Sequence, residues 1–256
     1  MLMASMETIA LEFELLRWSA WAPGIDGPEA WCAWLAGELL TSDDTAPDVS
    51  FMPAMQRRRL SRMARMGFCA IEDCLDDGEP ALPIVFASRH GELNRSHSLL
   101  ECLARNETLS PKDFSLSVHN ATTGLYSIFR GNHEPSTAIA AGVDSLPAGL
   151  IECLMQSLAS QGECLLVWVE ESVPDFYRDY LPASTPNACL AMRVAPIGSG
   201  GRPLAFQTSP ADAGETPATE EAVLKHMLSV LLERRQRSEW MGARCRWALE
   251  ASDVAA

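Results

Sequence analysis

The sequence lacks any Cys-x-x-Cys pair. Its eight cysteines, at 32, 69, 74, 102, 153, 164, 189 and 245, are scattered and mostly sit inside apolar segments. That spacing excludes the usual structural zinc patterns and reads as reduced core thiols of a cytoplasmic protein. A cationic excess is also missing: Lys plus Arg number 20 against 34 Asp plus Glu, a formal charge of −14. This argues against a general nucleic-acid binder, whose affinity comes from cations that neutralise phosphates. Long apolar runs are absent too, since the longest strongly apolar one, Cys164–Val169, falls far short of the roughly 20 residues a membrane helix needs. Met1–Ala10 has no basic segment and carries Glu7 before any apolar stretch, so no secretory signal is expected. No repeat of fixed period appears.

What remains is a chain of 256 residues, 47% hydrophobic and 21% charged, with room for a sizeable core that needs neither metal nor disulfide. Ile9–Trp21 reads as a strand entering the turn Ala22-Pro23-Gly24. Pro28 opens a helix through Leu40, with Trp31, Trp34, Leu35 and Leu39 on one face, and Thr41–Val49 is loop-like. The pattern predicts a long helix from Pro53 to Leu75, with Met63, Met66, Ala70, Ile71 and Cys74 inward and Arg58, Arg62 and Arg65 outward. A buried strand, Leu82–Ala87, runs into the loop Ser88–Gly91. Helices follow at Ser96–Arg105 and Phe114–Phe129, then a strand at Ser136–Ala141, a helix at Leu146–Ser160, and strands at Cys164–Glu170 and Ala188–Val194. This alternation predicts an α/β layered fold.

Composition shifts near Ile197. Ile197–Gly201 and Thr208–Thr219 are rich in small and turn-forming residues and read as a flexible connection. Thr219 is expected to cap a helix to about Leu249, with Glu220 and Glu221 in its first turn and Arg234, Arg235, Arg237, Arg244 and Arg246 towards its end, a charge order that suits the helix dipole. The expected organisation is a domain at 8–197, a linker at 198–218 and a C-terminal helix at 219–250.

Candidate chemistry is sparse, and neither a metal nor a cofactor is expected. Ser117 and His119 lie two apart on a predicted helix and diverge. His90, His97 and Glu92 make a weak ligand set. Gly198–Gly201 has no Lys-Ser/Thr after it to make a phosphate loop. Cys153 and Cys164 fall at apolar positions that favour burial over catalysis.

The stretch Ser110-Pro111-Lys112-Asp113-Phe114-Ser115-Leu116-Ser117-Val118-His119-Asn120-Ala121-Thr122-Thr123-Gly124, followed eleven residues later by Pro135-Ser136, resembles the β-ketoacyl synthase N-terminal-domain family. The likeness extends to its short chain-length-factor-like subunits, as in aryl polyene and polyketide gene clusters. It implies the N-terminal half of a thiolase-like fold, layered α/β/α around a mixed five-stranded-type sheet. In that family the strand after Pro-Ser leads into a sharp turn that presents a catalytic cysteine, usually within Thr-Ala-Cys. Here the same positions are Ala141-Gly142-Val143, so Val143 stands where the nucleophile is expected. A thioester intermediate needs an ionisable sulfur, and valine has none. The family also supplies two histidines from its C-terminal half, whereas only His226 follows residue 197.

The resemblance therefore implies a subunit without chemistry of its own, partnered with a full-length β-ketoacyl synthase as a heterodimer in fatty acid or polyketide biosynthesis. Asp113, Phe114, Ser117, Val118 and Asn120, with Val143, would border the partner's acyl tunnel, Phe114 acting as a steric stop. Arg57, Arg58, Arg62 and Arg65 belong to five arginines within nine positions and would dock an acyl carrier protein, an acidic partner steered by basic charge. Two alternatives stay open: a carrier-protein-binding module with no synthase partner, and a small acyltransferase using an unrecognised cysteine.

Overall fold

A β-strand buried on both faces reads as a continuous apolar run, because neither side of its pleat meets water. Cys164–Glu170 is such a strand: in the computed structural model all seven residues are buried. The structure describes residues 8–41, 45–76, 78–181, 185–211 and 214–252. Part of the N-terminal stretch (1–7), of the expected loop Thr41–Val49 (42–44) and of the expected linker (212–213) lies outside the described residues.

In chain order the elements are β1 (Ile9–Trp21), α1 (Gly27–Leu35), α2 (Ala54–Arg57), α3 (Arg62–Asp73), β2 (Ile84–Ala87), α4 (Leu93–Ala104), α5 (Pro111–Ser115), α6 (Ala121–Arg130) and β3 (Ser136–Ile139). After a 3-10 turn at Gly142–Asp144 come α7 (Ser145–Ser160), β4 (Cys164–Glu170), α8 (Asp175–Arg178), β5 (Ala188–Ala195), β6 (Arg202–Pro210), α9 (Glu220–Leu231), β7 (Arg237–Met241) and β8 (Cys245–Ala251). One sheet runs β3-β2-β4-β5-β1-β6-β8-β7. β3, β2 and β4 are parallel to one another, and every other pairing is antiparallel.

The layered α/β reading holds, and β3-β2-β4-β5-β1 is a mixed five-stranded set. The sheet is nevertheless wider than expected, with β6, β8 and β7 continuing it past β1. Two apolar cores flank it. On one face Leu166 and Trp168 of β4 and Leu190 and Met192 of β5 meet α7, α9 and α1 through Leu150, Leu224 and Trp34. On the other, Leu165, Val167 and Val169 meet α3 and α6 through Met66, Ile71 and Tyr126.

Several expected helices are shorter. The helix from Pro28 stops at Leu35, and Gly37 follows at φ +76, a left-handed conformation that glycine adopts without strain. The helix expected at Pro53–Leu75 is two: Ser61 caps α3 by accepting from the Ala64 N–H at 3.0 Å, which restarts the chain after α2. The helix expected at Phe114–Phe129 also divides, into α5 and α6. His119 sits in the gap, its Nε2 2.9 Å from the Ser88 carbonyl and its ring edge-on to Phe86, so tertiary contacts hold the break.

The C-terminal expectation needs the largest correction. The expected linker contains β6, and the expected helix at 219–250 ends at Leu231. Arg202 of β6 donates to the carbonyls of Val230 and Leu231 at 3.0 and 3.3 Å, closing α9, and Glu233 turns the chain away at φ +58. The remainder forms the β7–β8 hairpin. It alternates, with Ser238 and Trp240 inward and Arg237 and Glu239 outward, a two-residue period that the run of arginines masks in the sequence. No helix among the described residues is long and apolar enough to cross a membrane.

Candidate functional site

Parallel strands end side by side, and in open α/β sheets their carboxyl ends frame the crevice where ligands bind. Here the ends of β2, β3 and β4 meet, with the Ser88 N–H donating to the Ile139 carbonyl at 3.1 Å. From β3 the chain passes Ala140 and Ala141 into the turn Gly142–Asp144 and straight into α7. Gly142 has φ +63, and the Ser145 hydroxyl bridges the bend, donating to the Gly142 carbonyl at 2.7 Å and accepting from the Ala141 N–H at 3.0 Å. A β-carbon at Gly149 would lie 2.6 Å from that of Ala87, so only glycine lets α7 approach β2 this closely. The result is a sharp strand-turn-helix elbow with half-buried Val143 at its bend.

The elbow is anchored from the C-terminal hairpin. Buried Asp144 accepts from the Trp247 indole N–H at 3.1 Å and from the Ala243 N–H at 2.8 Å. Behind it, Glu170 is wholly buried at the end of β4, where it accepts from the Arg89 N–H and from the Ser88 hydroxyl, the latter at 3.4 Å. Burial pushes its carboxyl up to about 8, only partly offset by those donors. The Arg89 guanidinium reaches past it to buried Glu220, the first residue of α9. Sequence reasoning missed these residues. For Glu170 a signal existed, a carboxylate that directly ends the most apolar run in the chain. For Asp144 and Trp247 none did, because their contact spans a hundred residues.

Nucleophilic chemistry has little to work with here. Val143 offers an isopropyl group. Cys153, further along α7, and Cys164 are both fully buried, and burial beside Cys164 pushes the Cys153 thiol well up. Burial likewise raises Cys69 to about 11 and Cys74 to about 12, and raises Cys189, which suppresses the reactive thiolate. Ser117 donates to the Phe114 carbonyl rather than to a base. His90, His97 and Glu92 do not converge: His97 stacks on Phe176, while Glu92 binds the Ser61 hydroxyl and Arg95. No group of three potential metal ligands occurs among the described residues.

The expected tunnel residues lie along α5 and the break that follows. Phe114 is 65% and Val118 50% exposed, large apolar side chains that the described residues leave largely uncovered. Asp113 accepts from Arg95 at 2.8 Å, Ser117 is half-buried, and exposed Asn120 immediately precedes α6. Of the four arginines, Arg58 is exposed and Arg57 half-buried. Arg65 and Arg62 fold back, donating to the carbonyls of Arg57 and Thr45 at 3.2 and 3.1 Å. Arg62 also lines a cavity of about 410 Å³ with Glu92, Arg95 and Asp113, so the expected four-residue basic face is divided.

Comparison with known proteins gives this geometry a context. A family model described as the N-terminal domain of β-ketoacyl synthases matches residues 31–249. A chain of the structure titled a ketosynthase (ApeO) in complex with its chain length factor (ApeC), from Xenorhabdus doucetiae, superposes with a TM-score of 0.79 at 29% identity. That match covers 94% of this chain and 99% of the other, so the two are of similar length. The ishigamide ketosynthase/chain length factor matches at TM-score 0.64 and 16% identity, over 78% of this chain and 67% of that one. A type II acyl-carrier protein–ketosynthase complex (AntDE:AntF) matches at 0.66 and 10%, over 95% and 100%. At those identities the last two speak for the fold alone. No curated protein matches.

Proposed function

Because this chain belongs to the β-ketoacyl synthase N-terminal-domain family, we propose that it is a non-catalytic subunit of the chain-length-factor kind. It pairs with an active, full-length β-ketoacyl synthase and shapes that enzyme's acyl tunnel during polyketide assembly. The observation that carries this reading is the elbow, whose strand, left-handed glycine and close helix are built around a side chain that can neither attack nor ionise. Shape without reactivity acts on a reaction only through contact with a neighbour. The similarity to a chain from a ketosynthase–chain length factor complex supports the same partner.

Steric control falls to Phe114 and Val118, with Asp113, Ser117, Asn120 and Val143 around them. Exposed aromatic and aliphatic groups fill a partner's cavity effectively, since overfilling a close-packed site costs about 1–3 kcal/mol. Carrier-protein docking falls to Arg58 and Arg57, because Arg62 and Arg65 are occupied by backbone carbonyls. The narrower assignment to aryl polyene assembly rests on the likeness to short chain-length-factor-like subunits. All eight cysteines are unpaired, which supports a reducing cytoplasm.

The test is reconstitution. Co-expressed with a β-ketoacyl synthase, the chain should co-elute as a stoichiometric complex. Alone, it should carry no acyl adduct by intact mass after incubation with an acyl thioester. In the complex, Phe114→Ala should shift the products to longer chains. Condensation by the purified chain alone, or a stable acyl adduct on one of its cysteines, would overturn the reading in favour of an acyltransferase.

A further inference from the structure

The chain is strongly acidic, yet Arg234 and Arg235, like several of its other arginines, find no acid to pair with among the described residues. Among the described residues, no carboxylate lies within ion-pair distance of Arg234 or Arg235, although Arg17, Arg89, Arg95, Arg130, Arg193 and Arg237 all have such partners. The usual role of cations after a helix is to neutralise its last carbonyls, but Arg202 already occupies those of Val230 and Leu231. The left-handed turn at Glu233 instead sends Arg234 and Arg235 back towards α1, and the Arg235 N–H is tied to the Ser229 carbonyl at 2.9 Å.

There they line a cavity of about 390 Å³ between α1, α9 and β7, with Lys225, His226 and Ser238 on the polar side and Leu35 on the apolar side. Arg234 also lines the adjoining groove along α1. Ser238 is buried, its hydroxyl 2.9 Å from His226 Nδ1, and the imidazole stacks on Trp240. Lys225 lies over the Trp34 ring and pairs with Glu221 at 2.7 Å, so it is held in place.

We infer that this cavity binds a phosphate ester, its phosphate clamped by Arg234 and Arg235 and its uncharged arm lying along Leu35 and Ala36. Guanidinium forks match phosphate oxygens in charge and geometry. The cavity exceeds what a bare ion would fill, and its concavity suits a small molecule rather than a flat protein surface. His226 serves as a reporter. Burial, and then the nearby Arg235 charge, hold its imidazolium form down; a bound anion favours that form and moves the titration up.

The experiment follows the ring resonances of the full-length chain by NMR, with the other four of its five histidines as internal references. Inorganic phosphate, phenyl phosphate and benzoate are titrated at constant ionic strength set with chloride. Phenyl phosphate should shift the His226 signals, raise its titration midpoint and bind more tightly than inorganic phosphate. The Arg234→Ala, Arg235→Ala double variant alters two exposed side chains and should fold; it should bind about tenfold or more weakly, the loss expected for charge-assisted hydrogen bonds. Unchanged binding by that variant, an equal response to chloride, or benzoate binding as tightly as phenyl phosphate would each overturn the proposal. A response only to an acidic carrier protein would do so as well, making the surface a protein dock. None of these outcomes depends on whether the chain pairs with a synthase.

Discussion

The two parts of the sheet are buried differently. Strands β3-β2-β4-β5-β1 form its mixed portion, and at their centre β4 and β5 are covered on both faces, by α7 and α1 on one side and by α3 and α6 on the other. Strands β6-β8-β7 are purely antiparallel and, among the described residues, are covered by a helix on one face only, where Phe206, Trp240, Trp247 and Leu249 meet α9. Their other face carries Gln207, Arg237, Glu239 and Glu250, tied into one hydrogen-bonded cluster. Sheets that carry parallel strands tend to be buried on both faces, while antiparallel ones tolerate water on one. The elbow lies at an end of the doubly covered part, and the hairpin of the singly covered part holds it through Asp144.

The sharpest way to break this comparison is to place a polar group on the second face of each part. Val167 of β4 is fully buried on the α3 side. Val167→Asp strands a charge there and should cost on the order of 5 kcal/mol or abolish folding. Glu239→Val, on the outer face of β7, should stay within about 0.5 kcal/mol. Urea unfolding of both variants checks this. A severe loss from Glu239→Val would mean that the outer face is covered after all.

The same contrast explains what was legible in the sequence. β4 and β5 are apolar runs because both faces are buried, and their bounds were read almost to the residue. β7 and β8 alternate, and over five to seven residues alternation competes poorly with a helical reading backed by a threonine cap and a run of arginines. Gly242, inside the last third of the expected helix, is the sequence feature that argues against it. The bend at Gly142–Asp144 follows the strand expected after Pro135-Ser136, whereas its support by Trp247, like the Glu170–Arg89–Glu220 group, arises only from tertiary contact. Breaks in expected helices had local causes, such as the Ser61 cap, and non-local ones, such as His119 on Ser88.

A second way to sharpen the comparison uses one residue type in both parts. Glu250 of β8 pairs with Arg237 at the surface, whereas Glu170 of β4 is buried and titrates near 8 instead of its ordinary 4.5. A carboxyl whose folded value is raised holds its proton more tightly in the native state. Its stabilising contribution is complete below about 4.5 and is lost as pH climbs to about 8. Glu170→Gln keeps an acceptor for the Arg89 N–H and cannot ionise. Its stability relative to the parent should therefore improve across that window, by at most about 1.4 kcal/mol per pH unit, and level off above it. Thermal unfolding between pH 5 and pH 9 (roughly the span of that linkage) reads the effect directly. A flat difference would mean that Glu170 is ionised throughout.

The smallest effect belongs to the outer face of β6-β8-β7. Arg237 stands directly opposite Glu250 in the β7–β8 register, and it donates to Gln207 at 2.9 Å and to Glu239 at 3.3 Å. Its side chain is nonetheless 45% exposed, so water competes for every one of these bonds. Cross-strand ion pairs of this kind contribute about 0.2–1 kcal/mol, and Arg237→Ala should cost no more than that. The cost should also shrink as salt rises towards about 1 M, where screening acts within some 3 Å. If it instead grows, or becomes several-fold larger once a synthase partner is present, this face is buried in the assembly. The three added strands would then bind the partner as well as brace the elbow.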